Sequence, residues 1–401
     1  MSAKNKTILY LDHAATTYLD PAVENAMQTY WSSKFGNPSS IYDLGMDAKF
    51  AVDEARNRVA AAIGATENEI IFTAGGTESV NMAIFGSVRQ AIQVGKAKPH
   101  IITTSIEHHA VLESCRALEH EGVKVTYLPV DESGFVDIDK LLSAVRRETV
   151  LVSIIYANNE IGTVQNVSEI GKRLKKKNPN IIFHTDACQA PGALPLSVNK
   201  LNVDLMSLNG SKIYGPKQTG CLYVRRGIII APLIYGGGQE RGLRSGTENV
   251  PGIVGFSAAL EAAEKNRNKE SSRLRKLRNI LIKEIKTEIK NSLLNGPDPK
   301  SDSESHPARL PNNVNFSFPG VDGEALMLYL NAKGIEVSTG SACSSTSVDP
   351  SHVIRAIGRS PQDARSSIRI TFGKINTEKD IETLMHYLPG LVEELRRVEW
   401  K

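Results

Sequence analysis

The stretch Phe183-His184-Thr185-Asp186-Ala187-Cys188-Gln189, followed by Val203-Asp204-Leu205-Met206-Ser207 and Asn209-Gly210-Ser211-Lys212, decides how the chain is read. Two short strand-like runs lead into groups with chemistry of their own, a carboxylate at Asp186 and an amine at Lys212. Singly, Asp186 reads as a helix cap and Lys212 as a solvated loop lysine. Together they are what pyridoxal phosphate asks of a protein. The amine holds it as a Schiff base, and the carboxylate keeps its ring nitrogen protonated so that the ring withdraws electrons from substrate.

Working outward, runs rich in Ile, Val and Thr recur at 69–73, 100–105, 123–128, 150–155, 181–185, 203–207 and 220–224. Helix-like segments at 47–63, 78–93 and 167–177 alternate with them. The alternation predicts an α/β fold, with a mostly parallel seven-stranded sheet covered by helices. At 401 residues the chain is long enough for two domains. The large one is expected over 20–263. A smaller α+β domain is expected to combine 1–19 with 264–401, entered by an amphipathic helix with Leu274, Leu277, Leu281, Ile285 and Ile289 on one face.

Composition narrows the function classes. Lys and Arg number 48 against 44 acidic residues, a formal charge of +4, which does not suggest direct nucleic-acid binding. The basic cluster at 172–177 precedes Asn178-Pro179 and reads as a helix end, where cations suit the dipole. The four cysteines, Cys115, Cys188, Cys221 and Cys343, form no CxxC pair, which argues against a disulfide framework or a zinc site and for a reducing compartment. No apolar run is long enough to span a bilayer and residues 1–10 do not read as a signal peptide, so a cytoplasmic protein is expected.

Several further groups gather around the same strand pattern. Gly75-Gly76-Thr77 sits between the run at 69–73 and a helix, where small residues and free amides suit a phosphate, although a Gly-Gly turn is commonly only a turn. His108-His109 follows the run at 100–105, and a histidine there could stack on a cofactor ring or shuttle protons. Asn158-Asn159-Glu160 follows the run at 150–155, at the strand end where ligands of open α/β sheets bind. Arg369, on a strand at 367–371, could hold a carboxylate through its fork of donors or close a salt bridge within its domain. Cys343 lies in Ser341-Ala342-Cys343-Ser344-Ser345, which has almost no apolar anchor, so an exposed, nucleophilic thiol on a mobile loop at about 338–348 is expected. Cys188 and Cys221, in strand-like or apolar settings, read as structural.

In order and spacing these segments resemble the cysteine desulfurases of the NifS/IscS type, in the class-V aminotransferase, fold-type I pyridoxal-phosphate superfamily. The likeness runs from Tyr10-Leu11-Asp12-His13-Ala14-Ala15-Thr16-Thr17 through Gly36-Asn37-Pro38-Ser39-Ser40 and the segment from Gly236 to Thr247 as far as Arg369. It implies that Lys212 carries the cofactor, Asp186 pairs with the ring nitrogen and His108 stacks on the ring. Asn159 and Gln189 would bond the phenolic oxygen. Gly76, Thr77, Asn209 and Ser211 would surround the phosphate, with Thr247 reaching the phosphate of the neighbouring subunit in a homodimer. Arg369 and Asn37 would bind L-cysteine. Cys343 would take the sulfur as a persulfide, leave alanine, and pass the sulfur to an acceptor protein, an iron-sulfur scaffold or a tRNA-thiolation relay. Ser211 stands where the family commonly has histidine, Tyr42 where many relatives have histidine, and the chain ends without an extended tail.

Two other outcomes are carried beside this one. A selenocysteine lyase or aminotransferase of the same fold would act on selenocysteine or a keto acid. A non-catalytic sulfur carrier or interaction protein would keep the fold and lack the cofactor, since fold does not fix function.

Overall fold

The computed structural model describes residues 8–96, 98–302, 307–339 and 350–397. The strands in chain order are β1 (Leu9–Tyr10), β2 (Ile70–Thr73), β3 (His100–Thr104), β4 (Lys124–Leu128), β5 (Thr149–Ile155) and β6 (Ile182–Asp186). They continue with β7 (Leu205–Asn209), β8 (Gly220–Val224), β9 (Leu293–Leu294), β10 (Asn313–Ser317), β11 (Ile335–Glu336) and β12 (Ser367–Thr371). Seven of them form one sheet in the order β2-β8-β7-β6-β5-β3-β4. Pairing is parallel except where β8 meets β2 and β7, so only β8 runs against the rest. The chain is therefore α/β with a mostly parallel large sheet.

Every residue of β5, Thr-Val-Leu-Val-Ser-Ile-Ile, is buried, as a strand covered on both faces requires. The running direction matters more than the count. β2, β3, β5, β6 and β7 all deliver their carboxyl ends to one edge, where Gly76, His108, Asn159, Asp186 and Lys212 follow in the loops and turns.

A second, antiparallel sheet has the order β12-β10-β9, and β1 pairs in parallel with β11. Two large clusters of buried apolar side chains are joined by one 39-residue helix, Val250–Glu288. Its first half gives Ile253, Phe256 and Leu260 to the core under the large sheet. Its second half gives Leu274, Leu277, Leu281 and Ile285 to the core of the smaller sheet. No helix among the described residues is long and apolar enough to cross a membrane.

Candidate active site

The carboxyl edge of the large sheet opens onto a cavity of about 360 Å³, in the size range of small-molecule sites. Its lining brings Gly76, Thr77, His108, Asn159, Asp186, Gln189, Asn209, Lys212 and Arg369 together, with Ala14, Ala15 and Cys188 between them.

Asp186 ends β6 and is 5% exposed. Its Oδ1 accepts from the Cys188 backbone N–H at 3.0 Å, which aims the carboxylate as the chain leaves the strand. A charged group buried this far needs a partner. Lys212 closes a single turn, Gly210–Lys212, after β7, and its amine donates to the Ala15 carbonyl. That turn is braced from the N-terminal segment, where the Thr17 backbone N–H (2.9 Å) and hydroxyl (3.1 Å) both donate to the Ser211 carbonyl.

His108 caps the helix His109–His120, and its Nδ1 accepts from the Ala110 backbone N–H at 3.1 Å. With Nδ1 accepting, the proton of the neutral ring sits on Nε2. Burial lowers the pKa of this imidazole, the negative charge of Asp186 opposes that shift, and the Lys212 ammonium adds to it.

Gly76 opens the helix Gly76–Gln93, and no side chain caps its first amides. A Cβ at Gly76 would lie 2.6 Å from Cys188 Sγ, so only glycine leaves that end open. Uncapped amides at a helix N-terminus bind anions. Arg369, on β12 and 2% exposed, donates from Nη2 to Asp12 Oδ1 at 2.7 Å and from Nη1 to the Asn159 carbonyl at 3.2 Å. Its Nε is buried without a hydrogen-bond partner. The guanidinium lines the cavity, and a fork of donors there suits a carboxylate ligand.

The donor set fits pyridoxal phosphate. It offers an amine, a buried carboxylate, an imidazole and an open helix terminus around one cavity. Gln189 donates from Nε2 to the Ala14 carbonyl at 3.0 Å. Asn209 Oδ1 accepts from both the backbone N–H (2.8 Å) and the hydroxyl (2.9 Å) of Ser211, so that hydroxyl is spent on Asn209, and Ser211 does not line the cavity.

Two further expected site residues lie elsewhere. Asn37 is exposed, and its side chain accepts from the Ser39 backbone N–H at 2.9 Å. Thr247 lines a separate cavity of about 240 Å³ with Arg244 and Glu248. Cys343 falls outside the described residues.

Four groups stand out only in three dimensions. Asp12 pairs with Arg369, although its sequence setting marks it only as part of a strand-turn segment. His13 is buried beside the same turn. Cys188 lines the cavity, and burial followed by the charge of Asp186 pushes its thiol well above the ordinary range. Glu107 is wholly buried, with Oε1 accepting from the Thr104 hydroxyl (2.7 Å) and the Ile155 backbone N–H (2.9 Å), while Oε2 has no partner. Burial pushes its carboxyl up to about 8. A glutamate directly after an apolar strand and before two histidines was the available signal.

Comparison with known proteins agrees with this geometry. The family description "Aminotransferase class-V" matches residues 9–384. The chain is 49% identical over 401 residues to a cysteine desulfurase IscS of Dictyoglomus turgidum, covering 99% of this chain and 98% of that one. It is 48% identical over 399 residues to a cysteine desulfurase IscS of Methanosarcina thermophila, with 99% and 95% covered. Among solved structures, a NifS-like protein superposes with a TM-score of 0.88 at 38% identity, over 97% of this chain and all of that one. A structure of SspA in complex with cysteine gives 0.76 at 35% identity, over 91% and 98%.

Proposed function

This chain belongs to the class-V aminotransferase family and is a pyridoxal-phosphate-dependent cysteine desulfurase, and from that premise we propose how its own residues do the work. The observation that carries the proposal is the single cavity shared by Lys212, Asp186, His108 and Arg369. When bound, the cofactor supplies an electron-withdrawing ring that takes up the charge left by the Cα proton and loosens the carbon–sulfur bond.

Lys212 Nζ would hold the cofactor, and its amine would take and return the proton at the substrate Cα. Asp186 would keep the ring nitrogen protonated, and His108 would stack on the ring. Gly76 and Thr77 offer helix-terminal amides to the phosphate, with Asn209 beside them. Asn159 and Gln189 would bond the phenolic oxygen. Arg369 binds the substrate carboxylate from the cavity wall, held in place by Asp12.

Cys343 Sγ attacks the substrate sulfur. A sulfur–sulfur bond forms as the carbon–sulfur bond breaks, its electron pair stays with the substrate carbons, and protonation there yields L-alanine beside an enzyme persulfide. The described cysteines do not suit that step. Burial pushes Cys115 up to about 12 and raises Cys188 and Cys221 as well, so all three remain thiols at neutral pH.

A homodimer is supported by apolar side chains left in solvent on and between the helices Pro21–Ser32 and Asp43–Ile63. Trp31, Phe35, Ile41, Met46 and Phe50 are all exposed, Ile41 by 93%. Such patches mark interfaces. In the dimer Thr247 would serve the partner's phosphate, and Asn37 its substrate. The persulfide is passed to an acceptor protein, an iron-sulfur scaffold or a tRNA-thiolation relay, and the free thiols suit the cytoplasm.

The test is alanine formation from L-cysteine by the cofactor-loaded protein, with mass analysis of Cys343 for one added sulfur. Full-rate sulfide release by Cys343→Ala would remove that thiol from the mechanism.

A further inference from the structure

Tyr214 follows closely on Lys212 and has a φ of 63°, in the left-handed region. Among the described residues it is the one aromatic held there. A bulky side chain in that conformation is an outlier, and such strain persists only where the surroundings over-determine it. Glycine would take the same φ freely, and the chain has one next door at Gly215. What Tyr214 touches accounts for the tyrosine.

Three segments meet on this residue. The first is the lysine turn itself, closed where the Gly215 backbone N–H donates to the Gly210 carbonyl at 3.1 Å. The second is the N-terminal segment. Its Thr17 hydroxyl, which donates to the Ser211 carbonyl, accepts from the Tyr214 backbone N–H at 2.7 Å, and the Asp20 backbone N–H donates to the Tyr214 carbonyl at 3.0 Å. The third is the chain leaving β12, which passes so close that a Cβ at Gly373 would lie 2.4 Å from the phenol oxygen. That oxygen accepts from the Lys374 backbone N–H at 2.7 Å, and burial raises the phenol's pKa, so its own proton stays on. The Lys374 ammonium lies 4.3 Å from the ring centroid and pairs with Asp20 at 2.8 Å.

β12 also carries Arg369. The guanidinium sets where the substrate carboxylate lies, and with it Cα, while the turn sets where the Lys212 amine lies. Tyr214 bonds the turn to the chain just beyond that strand. We propose that Tyr214 is a positioning residue that locks the lysine turn to the Arg369 strand, so that the Lys212 amine stays aimed at Cα through the proton transfers. The proposal rests on Lys212 being the base at Cα, as assigned above. Tyr214 lies outside the lining of the cavity shared by Lys212 and Arg369, and it acts through the turn. A displacement of the order of an ångström between base and Cα is enough to slow such a step.

The test compares Tyr214→Phe, which removes only the accepting hydroxyl, with Tyr214→Gly, which removes the ring and relieves the strain. In the cofactor-free proteins, amide hydrogen exchange read by mass analysis should run several-fold faster over residues 210–216 in Tyr214→Phe and faster again in Tyr214→Gly, with β6 unchanged. In the cofactor-loaded enzymes, kcat for cysteine should fall by about 2- to 10-fold in Tyr214→Phe, the worth of one hydrogen bond, with KM little changed. Cysteine deuterated at Cα should show a primary isotope effect on that slowed turnover, because proton removal now limits it. Exchange over 210–216 as slow in both variants as in wild type overturns the proposal. So does turnover equal to wild type in both, and so does a slowed turnover with no isotope effect, which a merely structural role would give. A wild type that makes no alanine would instead count against Lys212 as the base, and the exchange measurement, which needs no cofactor, would still decide whether Tyr214 holds the turn.

Discussion

Arg369 Nη2 donates to Asp12 Oδ1 at 2.7 Å, across 357 residues of sequence, in an ion pair whose side chains are 3% and 15% exposed. The pair spends one arm of the guanidinium on Asp12, the other donates to the Asn159 carbonyl, and the group as a whole lines the site.

Charge-assisted hydrogen bonds are worth about 1.5–3 kcal/mol, or roughly 10- to 100-fold. Arg369→Lys keeps the charge and loses the fork, so its kcat/KM for cysteine should fall by about that factor, mostly through KM. Asp12→Asn should give a smaller rise in KM with little change in the cofactor's absorbance. Steady-state kinetics beside absorbance spectra check both, and an unchanged KM in Arg369→Lys would move the carboxylate site elsewhere.

Gly76→Ala should weaken cofactor binding, because its Cβ would meet Cys188 Sγ at 2.6 Å. Overpacking of this kind costs about 1–3 kcal/mol. The double variant Gly76→Ala/Cys188→Ala removes the opposing sulfur and should recover most of the affinity. Titration of the cofactor-free proteins, followed by absorbance, measures the difference.

Glu107→Gln should stabilise the protein in a pH-dependent way. Burial raises the folded-state pKa of Glu107 from the ordinary 4.5 to about 8. Below 4.5 both states carry the proton and nothing is lost. Between 4.5 and 8 the unfolded chain ionises while the folded one keeps its proton, so wild-type stability declines as pH rises, and above 8 that decline stops. Glutamine has no such linkage. The Tm of Glu107→Gln should therefore pull steadily further ahead of wild type from pH 5 to pH 8. A constant gap across that window would show that Glu107 does not titrate there.

Alkylation should sort the four thiols. Cys115, Cys188 and Cys221 are held as neutral thiols by burial, so brief iodoacetamide treatment near pH 7.5 should label Cys343 first. Peptide mass mapping over time reads the order, and Cys188 reacting ahead of Cys343 would contradict it.

Much of this was legible in the chain itself. The strand runs at 150–155 and 181–185 fall within a residue of β5 and β6, because strands buried on both faces must be apolar almost throughout. The carboxylate and amine at the ends of two neighbouring strands could be anticipated from Asp186 and Lys212, since parallel strands share an edge. Asp12 and His13 could not, because their partners lie hundreds of residues away and nothing local marks the pairing. Ser211 was legible as a polar neighbour of the lysine, yet its hydroxyl turns to Asn209, a choice made by the tight geometry of a single turn. Sequence also placed an amphipathic connecting helix from 264 onward, where charge density rises; that helix is Val250–Glu288, and its start 14 residues earlier is hidden in the apolar run Val250-Pro251-Gly252-Ile253-Val254.

That helix is roughly 58 Å from end to end at 1.5 Å per residue. Built into both cores at once, it behaves as a common beam rather than a tether. Opening and narrowing of the cleft between the two sheets must then come from flexure along this rod, and heat should melt both halves in one cooperative step, since neither can lose its share of the beam without exposing the other's.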